Sequence, residues 1–268
     1  MSFSSSTLTA IGFCLALVAV PAFAGAEPLV HAHAHNDYEH PRPLLDALDH
    51  GFCGVEADIY LVAGQLLVAH NRSQVKPERT LQALYLDPLR EQVRKHGGRV
   101  FVGGPEFTLL IDLKSNWKTT YPALRAVLTN YADVLTTFCD GVKLTNAISI
   151  VISGDRAKEM FADETTRYAG YDGLLTDLDP ALPATLVPWI SADWKMNFKW
   201  RGDGAMPEAE QEKLGEIVAK AHAQGRRVRF WGAPDNEAFW RAMRVADVDL
   251  INTDNLAGLA KYLRGEAD

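Results

Sequence analysis

Apolar and polar positions follow two alternating patterns along most of the chain. Short runs rich in Val, Ile and Leu have the pattern of buried strands. They alternate with longer segments whose apolar positions recur every three to four residues, as in amphipathic helices. The strands are predicted at residues 28–35, 52–61 with an extension at 66–70, 107–113, 148–152, 174–176, 186–191, 228–231 and 249–252. The helices are predicted at residues 43–50, 84–96, 121–134, 156–161, 207–224, 236–245 and 256–263.

This alternation is typical of parallel βαβ units, and it indicates an α/β fold. A count of about eight strands favours a sheet that closes on itself over one that stays open. We therefore predict a single (β/α)8 TIM-type barrel domain over residues 27–268.

The first 26 residues have a different pattern. Residues 11–20 form an apolar run, which is followed by Pro21 and by small residues at 22–26. An apolar core before an A-x-A site is typical of a secretory signal peptide, although no Lys or Arg precedes this run. The alternative, an uncleaved anchor, requires a longer apolar run. We therefore predict a signal peptide at residues 1–26 and an exported protein, periplasmic or secreted, with no stable membrane insertion.

The net charge of −7 gives no general basic surface for nucleic acid. An anionic substrate must therefore be met by a metal ion or by a few Lys and Arg side chains. Cys14 belongs to the predicted signal peptide, which leaves Cys53 and Cys139. Export would permit a disulfide between these two, and two free thiols are the open alternative. The sequence gives no prediction of the oligomeric state.

Side chains that carry chemistry gather at the carboxyl ends of the predicted strands, where barrels of this type have their active sites. The first strand ends with His31, His33 and His35, which alternate and therefore share one face. The second strand contains Glu56 and Asp58 on one face, between apolar neighbours. Buried carboxylates need a cation or hydrogen bonds, and oxygen ligands suit Mg²⁺ or Ca²⁺. A half-exposed strand with solvated carboxylates is the alternative.

Two later strand ends add to this set. The run at 66–70 ends in His70, and the third strand has Asp112 and Lys114 two positions apart, on one face. Asp112 is placed to complete a site of three carboxylates, and Lys114 to hold a phosphate oxygen. A local ion pair between Asp112 and Lys114 is the alternative.

Residues 33–71, HAHNDYEHPRPLLDALDHGFCGVEADIYLVAGQLLVAHN, resemble the phospholipase C-like phosphodiesterase superfamily, which includes the glycerophosphodiester phosphodiesterases. The similarity lies in the order and spacing of an opening histidine, a helix that begins with proline, a Glu-x-Asp pair and a second histidine. Later stretches, LLIDLK, ISIVISGDR, YDGLLTDLD and VDLINTD, look like the branch typified by the "altered inheritance of mitochondria" proteins.

The resemblance implies a metal-dependent phosphoric diester hydrolase that acts on glycerophosphodiester or phospholipid-headgroup substrates. It also allows a neighbouring substrate hydroxyl to attack first and give a cyclic phosphate. Matched by position, the catalytic acid and base are His35 and His70, in either assignment, with His33 as an alternative to His35. The ligands of one divalent cation, Mg²⁺ or Ca²⁺, are Glu56, Asp58 and Asp112. The substrate-binding residues are Lys114, for the phosphate, and Trp231, as an aromatic wall of the pocket.

Two positions depart from the pattern of the glycerophosphodiesterases. Asn36 stands where they have an Arg, and Asn71 stands where they have an Asp after the second histidine. These departures concern the identity of the substrate more than the class of reaction.

Other functions remain open. A metal-dependent amidohydrolase or phosphoesterase also begins with a His-x-His pair, which His33 and His35 supply, but the later His96 and His222 fall in helical patterns. A non-catalytic exported binding barrel is the second alternative, because a fold does not imply a function. Residues 191–202 interleave aromatic and basic side chains, as expected either of a lid that contacts lipid headgroups or of a loop packed on the barrel rim.

Overall fold

Eight parallel strands close into a barrel in the computed structural model, which describes residues 26–161 and 164–266. In chain order the strands are β1 (Leu29–Ala34), β2 (Phe52–Val62), β3 (Gln65–Val68), β4 (Phe107–Leu113), β5 (Thr137–Cys139), β6 (Val142–Leu144), β7 (Ile148–Gly154), β8 (Thr166–Arg167), β9 (Gly170–Gly173), β10 (Trp189–Asp193), β11 (Arg227–Trp231) and β12 (Leu250–Thr253). The ring follows the order β1-β12-β11-β10-β9-β7-β4-β2, and the pairing of β1 with β2 closes it. Strand β3 pairs antiparallel with the end of β2. The predicted TIM-type barrel is confirmed.

The helices surround this ring unevenly. In chain order they are α1 (Leu45–Asp49), α2 (Asp87–Lys95), α3 (Trp117–Thr129), α4 (Trp194–Asn197), α5 (Glu208–His222), α6 (Glu237–Val245) and α7 (Leu256–Arg264). In the part of the chain that the structure describes, two connections of the ring lack a full α-helix. The segment after β7 forms only the 3-10 turn Lys158–Phe161, where a helix was predicted at 156–161, and the segment after β9 forms the 3-10 turn Leu175–Asp177.

The fifth barrel strand lies earlier than the sequence predicted. The strand was predicted at 174–176, whereas β9 begins and ends with glycine, which is depleted in strands. A Cβ atom at Gly173 would lie 2.5 Å from a methyl carbon of Val187. Glycine therefore allows β9 to approach the segment that leads into β10, which propensity alone does not reveal.

A separate three-stranded sheet was not predicted. Strands β5, β6 and β8 pair antiparallel in the order β6-β5-β8, and the residue just before β5, Thr136, donates its backbone N–H to Ile148 at the start of β7. Strands of two or three residues carry too few alternating positions to give a sequence signal.

The barrel interior is divided between a small apolar cluster and a polar layer. The apolar cluster consists of Leu110, Val151, Trp189 and Leu250. Every second residue along a strand points inward. The residues two and four positions after these apolar side chains therefore also point inward, and they form the polar layer toward the carboxyl ends of the strands. The larger hydrophobic core lies between the barrel wall and the surrounding segments.

Two further features bear on the sequence predictions. Cys53 is buried and Cys139 is partly exposed, and both are free thiols in this structure, so the predicted alternative of a disulfide is not formed. No helix among the described residues is both long enough and apolar enough to cross a membrane.

Candidate active site

Three carboxylates meet at the carboxyl ends of β2 and β4. Asp58 and Asp112 are direct neighbours in the parallel pairing of these strands, and Glu56 lies one inward-facing position below Asp58. One carboxylate oxygen of each residue lies within 4.8 Å of the others. The strand register therefore assembles the set that the alternating pattern predicted.

Lys114 is the nearest cation to two of these carboxylates. Its Nζ lies 3.0 Å from Asp58 Oδ2 and 3.0 Å from Asp112 Oδ1. Burial opposes the charge of the ammonium group, but the two carboxylates outweigh this effect and raise the pKa of Lys114 above its usual value. The ion pair between Asp112 and Lys114, which was the alternative to a site of three carboxylates, is present, and Asp58 also takes part in it.

Asp58 remains short of positive charge. Burial, together with the negative charges of Glu56 and Asp112, raises the pKa of Asp58 to about 6, although Lys114 acts in the opposite direction. Its second oxygen, Oδ1, is buried and has no hydrogen-bond partner among the described residues. A buried carboxylate oxygen without a partner is costly, and a bound cation would remove that cost.

A buried arginine inside the barrel forms an ion pair with Glu56. Arg229 on β11 places Nη1 3.0 Å from Glu56 Oε2 and Nη2 3.5 Å from Asp172 Oδ2. Its Nε donates to Ser191 Oγ at 3.0 Å, and this hydroxyl donates to Asp172 at 2.6 Å. The barrel interior thus contains a hydrogen-bonded network that fixes the direction of the Glu56 carboxylate.

The same network explains the ionisation of Glu56. Burial tends to raise the pKa of Glu56, but the neighbouring His33, whose Nε2 lies 3.9 Å from Glu56 Oε2, and the charge of Arg229 outweigh this effect and hold the pKa below its usual range. Burial lowers the pKa of His33 to about 4, so this imidazole is neutral at neutral pH. Arg229 is therefore the cation that keeps Glu56 ionised at neutral pH.

His70 reaches the carboxylates through a tyrosine. The Tyr38 hydroxyl donates to Asp58 Oδ2 at 2.6 Å and lies 3.0 Å from His70 Nδ1. The two rings stack with centroids 6.3 Å apart. Because the tyrosine hydrogen is engaged by a carboxylate, which only accepts, His70 Nδ1 is the donor in the second contact. The His70 side chain is 51% exposed, so its other nitrogen faces open space.

His35 has a different partner. Its Nδ1 lies 3.0 Å from Asp254 Oδ1, in the residue that follows β12. Burial lowers the pKa of His35, but the hydrogen bond that His35 donates to Asp254 and the charge of Glu56 outweigh it, so the pKa is raised. The Asn36 side-chain amide contacts His35 and Tyr38. Its Nδ2 lies 2.9 Å from His35 Nδ1, and its Oδ1 lies 2.7 Å from the Tyr38 hydroxyl.

The three alternating histidines separate along the barrel axis. His31 binds the backbone carbonyl of Asp249 at the start of β12, and His33 is fully buried beside Glu56. His35 is the one at the mouth. Among the described residues the group that can hold an ion contains three carboxylates and no histidine, so the His-x-His metal site of the amidohydrolase alternative is not formed.

Trp231 and residues 191–202 lie at the mouth on the other side of the ring. Trp231 ends β11, pairs in register with Asp193 and is 41% exposed. The tryptophans of the segment are packed inward: Trp194 is fully buried and Trp200 nearly so. The burial of these tryptophans favours the second of the two alternatives, a loop packed on the barrel rim.

Sequence reasoning missed three residues that complete the site. Tyr38, Arg229 and Asp254 bond to His70, Glu56 and His35 respectively. Tyr38 and Asp254 fall within stretches that resembled the family, but no spacing rule links them to a partner. Arg229 lies 173 positions after Glu56, and only closure of the barrel brings the two together.

The chain matches a known family over more than half of its length. The sequence profile of the AIM6-like phosphodiesterase domain matches residues 23–172, which include all three carboxylates and both candidate catalytic histidines. The chain belongs to this family. It is a phosphodiesterase, and the profile of the glycerophosphoryl diester phosphodiesterase family also matches residues 227–257. The alternative of a non-catalytic binding barrel is thereby set aside.

Individual relatives agree with the family. The chain is 28% identical to "Altered inheritance of mitochondria protein 6" of Eremothecium gossypii, over 87% of this chain and 69% of that protein. It is 28% identical to the protein of the same name in Saccharomyces cerevisiae, over 84% of this chain and 68% of that protein. The chain thus spans about two thirds of the length of these relatives.

The fold also matches solved structures. A glycerophosphodiester phosphodiesterase from Parabacteroides distasonis superposes with a TM-score of 0.54 at 15% identity, over 91% of this chain and all of that one. At this identity the similarity shows the shared barrel fold.

The prediction of an exported protein, periplasmic or secreted, is wrong. The relatives are fungal proteins named for the inheritance of mitochondria, which are organelles inside the cell, and no relative points to export. The apolar run at 11–20 also lacks the preceding basic residues of a secretory signal. Residues 1–25 lie outside the described residues, so the domain boundary after residue 26 stays a prediction.

Proposed function

We propose that this phosphodiesterase hydrolyses glycerophosphodiester or lipid-headgroup phosphodiesters with one divalent cation, Mg²⁺ or Ca²⁺, and with His35 and His70 as general acid and base. The observation that carries the proposal is the cluster of Glu56, Asp58 and Asp112, with oxygens within 4.8 Å of one another.

The donor set fits a hard divalent cation. Three carboxylates offer only oxygen ligands, which Mg²⁺ and Ca²⁺ prefer. The unpartnered Asp58 Oδ1 and the raised pKa of Asp58 both indicate a place that lacks positive charge. A cation held by Glu56, Asp58 and Asp112 would supply electrostatic stabilisation of the phosphoryl group as negative charge develops on it.

The protein's own residues supply the remaining steps. Lys114 stands between Asp58 and Asp112, where its ammonium group is available to a phosphoryl oxygen that approaches the carboxylates. Both histidines engage Nδ1 with a partner, Asp254 for His35 and Tyr38 for His70. This arrangement leaves Nε2 of each ring to take or give a proton at an oxygen of the substrate.

The substrate enters from the mouth of the barrel. Trp231 is exposed there and offers an apolar wall to the carbon skeleton of an alcohol substituent. Asn36 contacts His35 and Tyr38 and cannot supply the charge that an Arg would bring, so binding of the reacting phosphate rests on Lys114 and the cation.

The test is hydrolysis of bis(4-nitrophenyl) phosphate by the purified chain with Mg²⁺, with Ca²⁺ and with EDTA. We expect divalent-cation-dependent turnover that falls by about 100-fold or more in His35→Ala and in Glu56→Gln, because each removes a proton-transfer group or a cation ligand. His50→Ala is the matched control, since His50 directly follows α1 and precedes β2, at the opposite end of the barrel. Turnover that survives EDTA and both site variants would refute the proposal.

A further inference from the structure

A second cavity adjoins the candidate active site at His70. It has a volume of about 410 Å³ and lies between the segment that follows β1 and the segment that follows β3. Tyr38 and His40 line it from the first segment, and His70, Lys76 and Arg79 line it from the second. The same His70 ring lies within 3.4 Å of Asp58, so the cavity and the carboxylate site share a wall.

Neither basic side chain of this cavity, Lys76 or Arg79, forms an ion pair with a carboxylate of the described residues. Lys76 is exposed, and among the described residues no hydrogen bond or ion pair involves its ammonium group. Arg79 donates to the backbone carbonyl of Tyr38 at 2.6 Å and pairs with no carboxylate of the described chain. Glu39 is the only acidic residue among those that line the cavity, and it too is exposed.

This arrangement contrasts with the basic residues elsewhere in the site. Lys114 contacts two carboxylates and Arg229 contacts two others, so the charge of each is balanced by carboxylates of the protein. The cavity therefore contains two basic side chains, Lys76 and Arg79, and one acidic side chain, Glu39. Its volume suits a substituted sugar or polyol ring, and the excess positive charge favours an anionic group of a ligand. Arginine and lysine are the side chains that recognise phosphate and carboxylate groups.

We propose that this cavity is a second anion subsite, and that the enzyme acts on phosphodiesters in which one alcohol carries a further phosphate or carboxylate group. This proposal rests on the proposed function, because it places the reacting phosphodiester at the carboxylate cluster. When an ester oxygen of the phosphodiester contacts His70, the alcohol that carries this oxygen lies on the cavity side of the imidazole ring. A second anionic group on the same alcohol then contacts Lys76 and Arg79.

The test compares matched substrates that differ only in the second anion. Glycerophosphoinositol 4-phosphate and glycerophosphoinositol differ by one phosphate group, and glycerophosphoserine against glycerophosphoethanolamine differs by one carboxylate. We expect kcat/KM to be about tenfold higher with the anion in at least one pair, as one charge-assisted contact gives. The pair that shows the preference identifies phosphate or carboxylate as the group bound.

Three variants assign the preference to the cavity. Lys76→Gln is expected to reduce the ratio of the two kcat/KM values about tenfold, and Lys76→Arg to keep it. Arg72→Gln is the matched control, because Arg72 lies on the same segment and does not line the cavity. Equal kcat/KM values within both pairs, or a preference that Lys76→Gln leaves intact, would overturn the proposal.

A binding measurement separates this proposal from the proposed function. If no phosphodiester is hydrolysed, the proposed function fails, and pyrophosphate titrated by calorimetry in EDTA then tests the subsite alone. Binding that weakens about tenfold in Lys76→Gln and not in Arg72→Gln supports the subsite. Absence of binding, or equal binding by the wild type and Lys76→Gln, overturns it.

Discussion

One hydroxyl group connects a candidate cation ligand with a candidate catalytic histidine. The Tyr38 hydroxyl donates to Asp58 and receives a hydrogen bond from His70, so it orients both side chains. Tyr38→Phe keeps the ring and removes the hydroxyl, with its contacts to Asp58, His70 and Asn36. We expect kcat to fall about 10- to 100-fold, as for other partners of metal ligands, with little change in KM. Steady-state kinetics checks this expectation, and an unchanged kcat would contradict it.

A neighbouring carboxylate controls stability rather than chemistry. Asp37 is buried, and its Oδ2 accepts hydrogen bonds from the Leu44 N–H at 2.6 Å and from the Tyr85 hydroxyl at 2.9 Å. Burial raises the pKa of Asp37 to about 7, and these two hydrogen bonds offset only part of that effect. The folded chain therefore retains a proton on Asp37 between about pH 4 and pH 7, where the unfolded chain has lost it.

The sign of the resulting pH dependence follows from proton linkage. The stability due to the protonated Asp37 is fully present below about pH 4 and is lost as the pH rises to about 7, by at most about 4 kcal/mol. In Asp37→Asn we expect this contribution to the change of the free energy of unfolding with pH to be absent. Urea unfolding of both proteins at pH 5 and pH 7.5 measures the difference, and parallel pH profiles of the two would contradict the prediction.

At the residue scale, the sequence predicted those parts of the site that depend on strand alternation. Glu56 and Asp58 share a face because side chains alternate along a strand, and the same rule placed Asp112 with Lys114. It could not show that Arg229 would pair with Glu56. That pairing depends on which strands become neighbours across the barrel, and local periodicity carries no such information.

At the scale of elements, the aromatic segment after β10 stabilises the fold. Trp194 is fully buried, stacks on Phe198 with ring centroids 4.0 Å apart and donates Nε1–H to the Trp200 carbonyl at 2.8 Å. Trp194→Ala should lower the free energy of unfolding by about 3–5 kcal/mol, because it leaves a cavity and removes this hydrogen bond.

The control for this prediction is the exposed tryptophan nearby. Trp231→Ala should change the free energy of unfolding by less than about 1 kcal/mol, since this side chain is 41% exposed. Denaturant unfolding followed by circular dichroism measures both. If Trp194→Ala lowers the free energy of unfolding no more than Trp231→Ala does, the segment is not an integral part of the core.

Long amphipathic elements were predicted well, and short ones poorly. The predicted helix at 207–224 appears as α5, because fifteen helical residues repeat their apolar period several times. Strand β9 has four residues, two of them glycine, and β5, β6 and β8 have three or fewer. Their pairing is decided by tertiary contacts that local sequence does not encode.

At the scale of the whole molecule, cation binding and folding are coupled. The three carboxylates meet only in the closed barrel, so a cation binds the folded chain and not the unfolded one. At 100 times its Kd, Mg²⁺ or Ca²⁺ should add about 2.7 kcal/mol of stability. This corresponds to a rise in Tm of about 5–10 °C for a chain of this size.

Thermal unfolding with each cation and with EDTA measures this rise. Asp112→Asn should abolish it, because an amide is a weaker ligand than a carboxylate. Glu237→Gln is the matched control, since Glu237 pairs with Arg241 on the exposed side of α6. A Tm that no cation changes, or an equal rise in Asp112→Asn, would contradict the prediction.

The first barrel strand in the chain lies beside the last. Strand β1 pairs in parallel with β12, from Ala32 with Ile251 to Ala34 with Thr253, and His35 meets Asp254 just beyond. Synthesis proceeds from the N-terminus, so a growing chain carries its histidines long before their partner is translated. A chain that ends before residue 250 lacks both the β12 partner of β1 and Asp254. We therefore expect such a chain to be inactive, because His35 has its carboxylate partner only once β12 is in place.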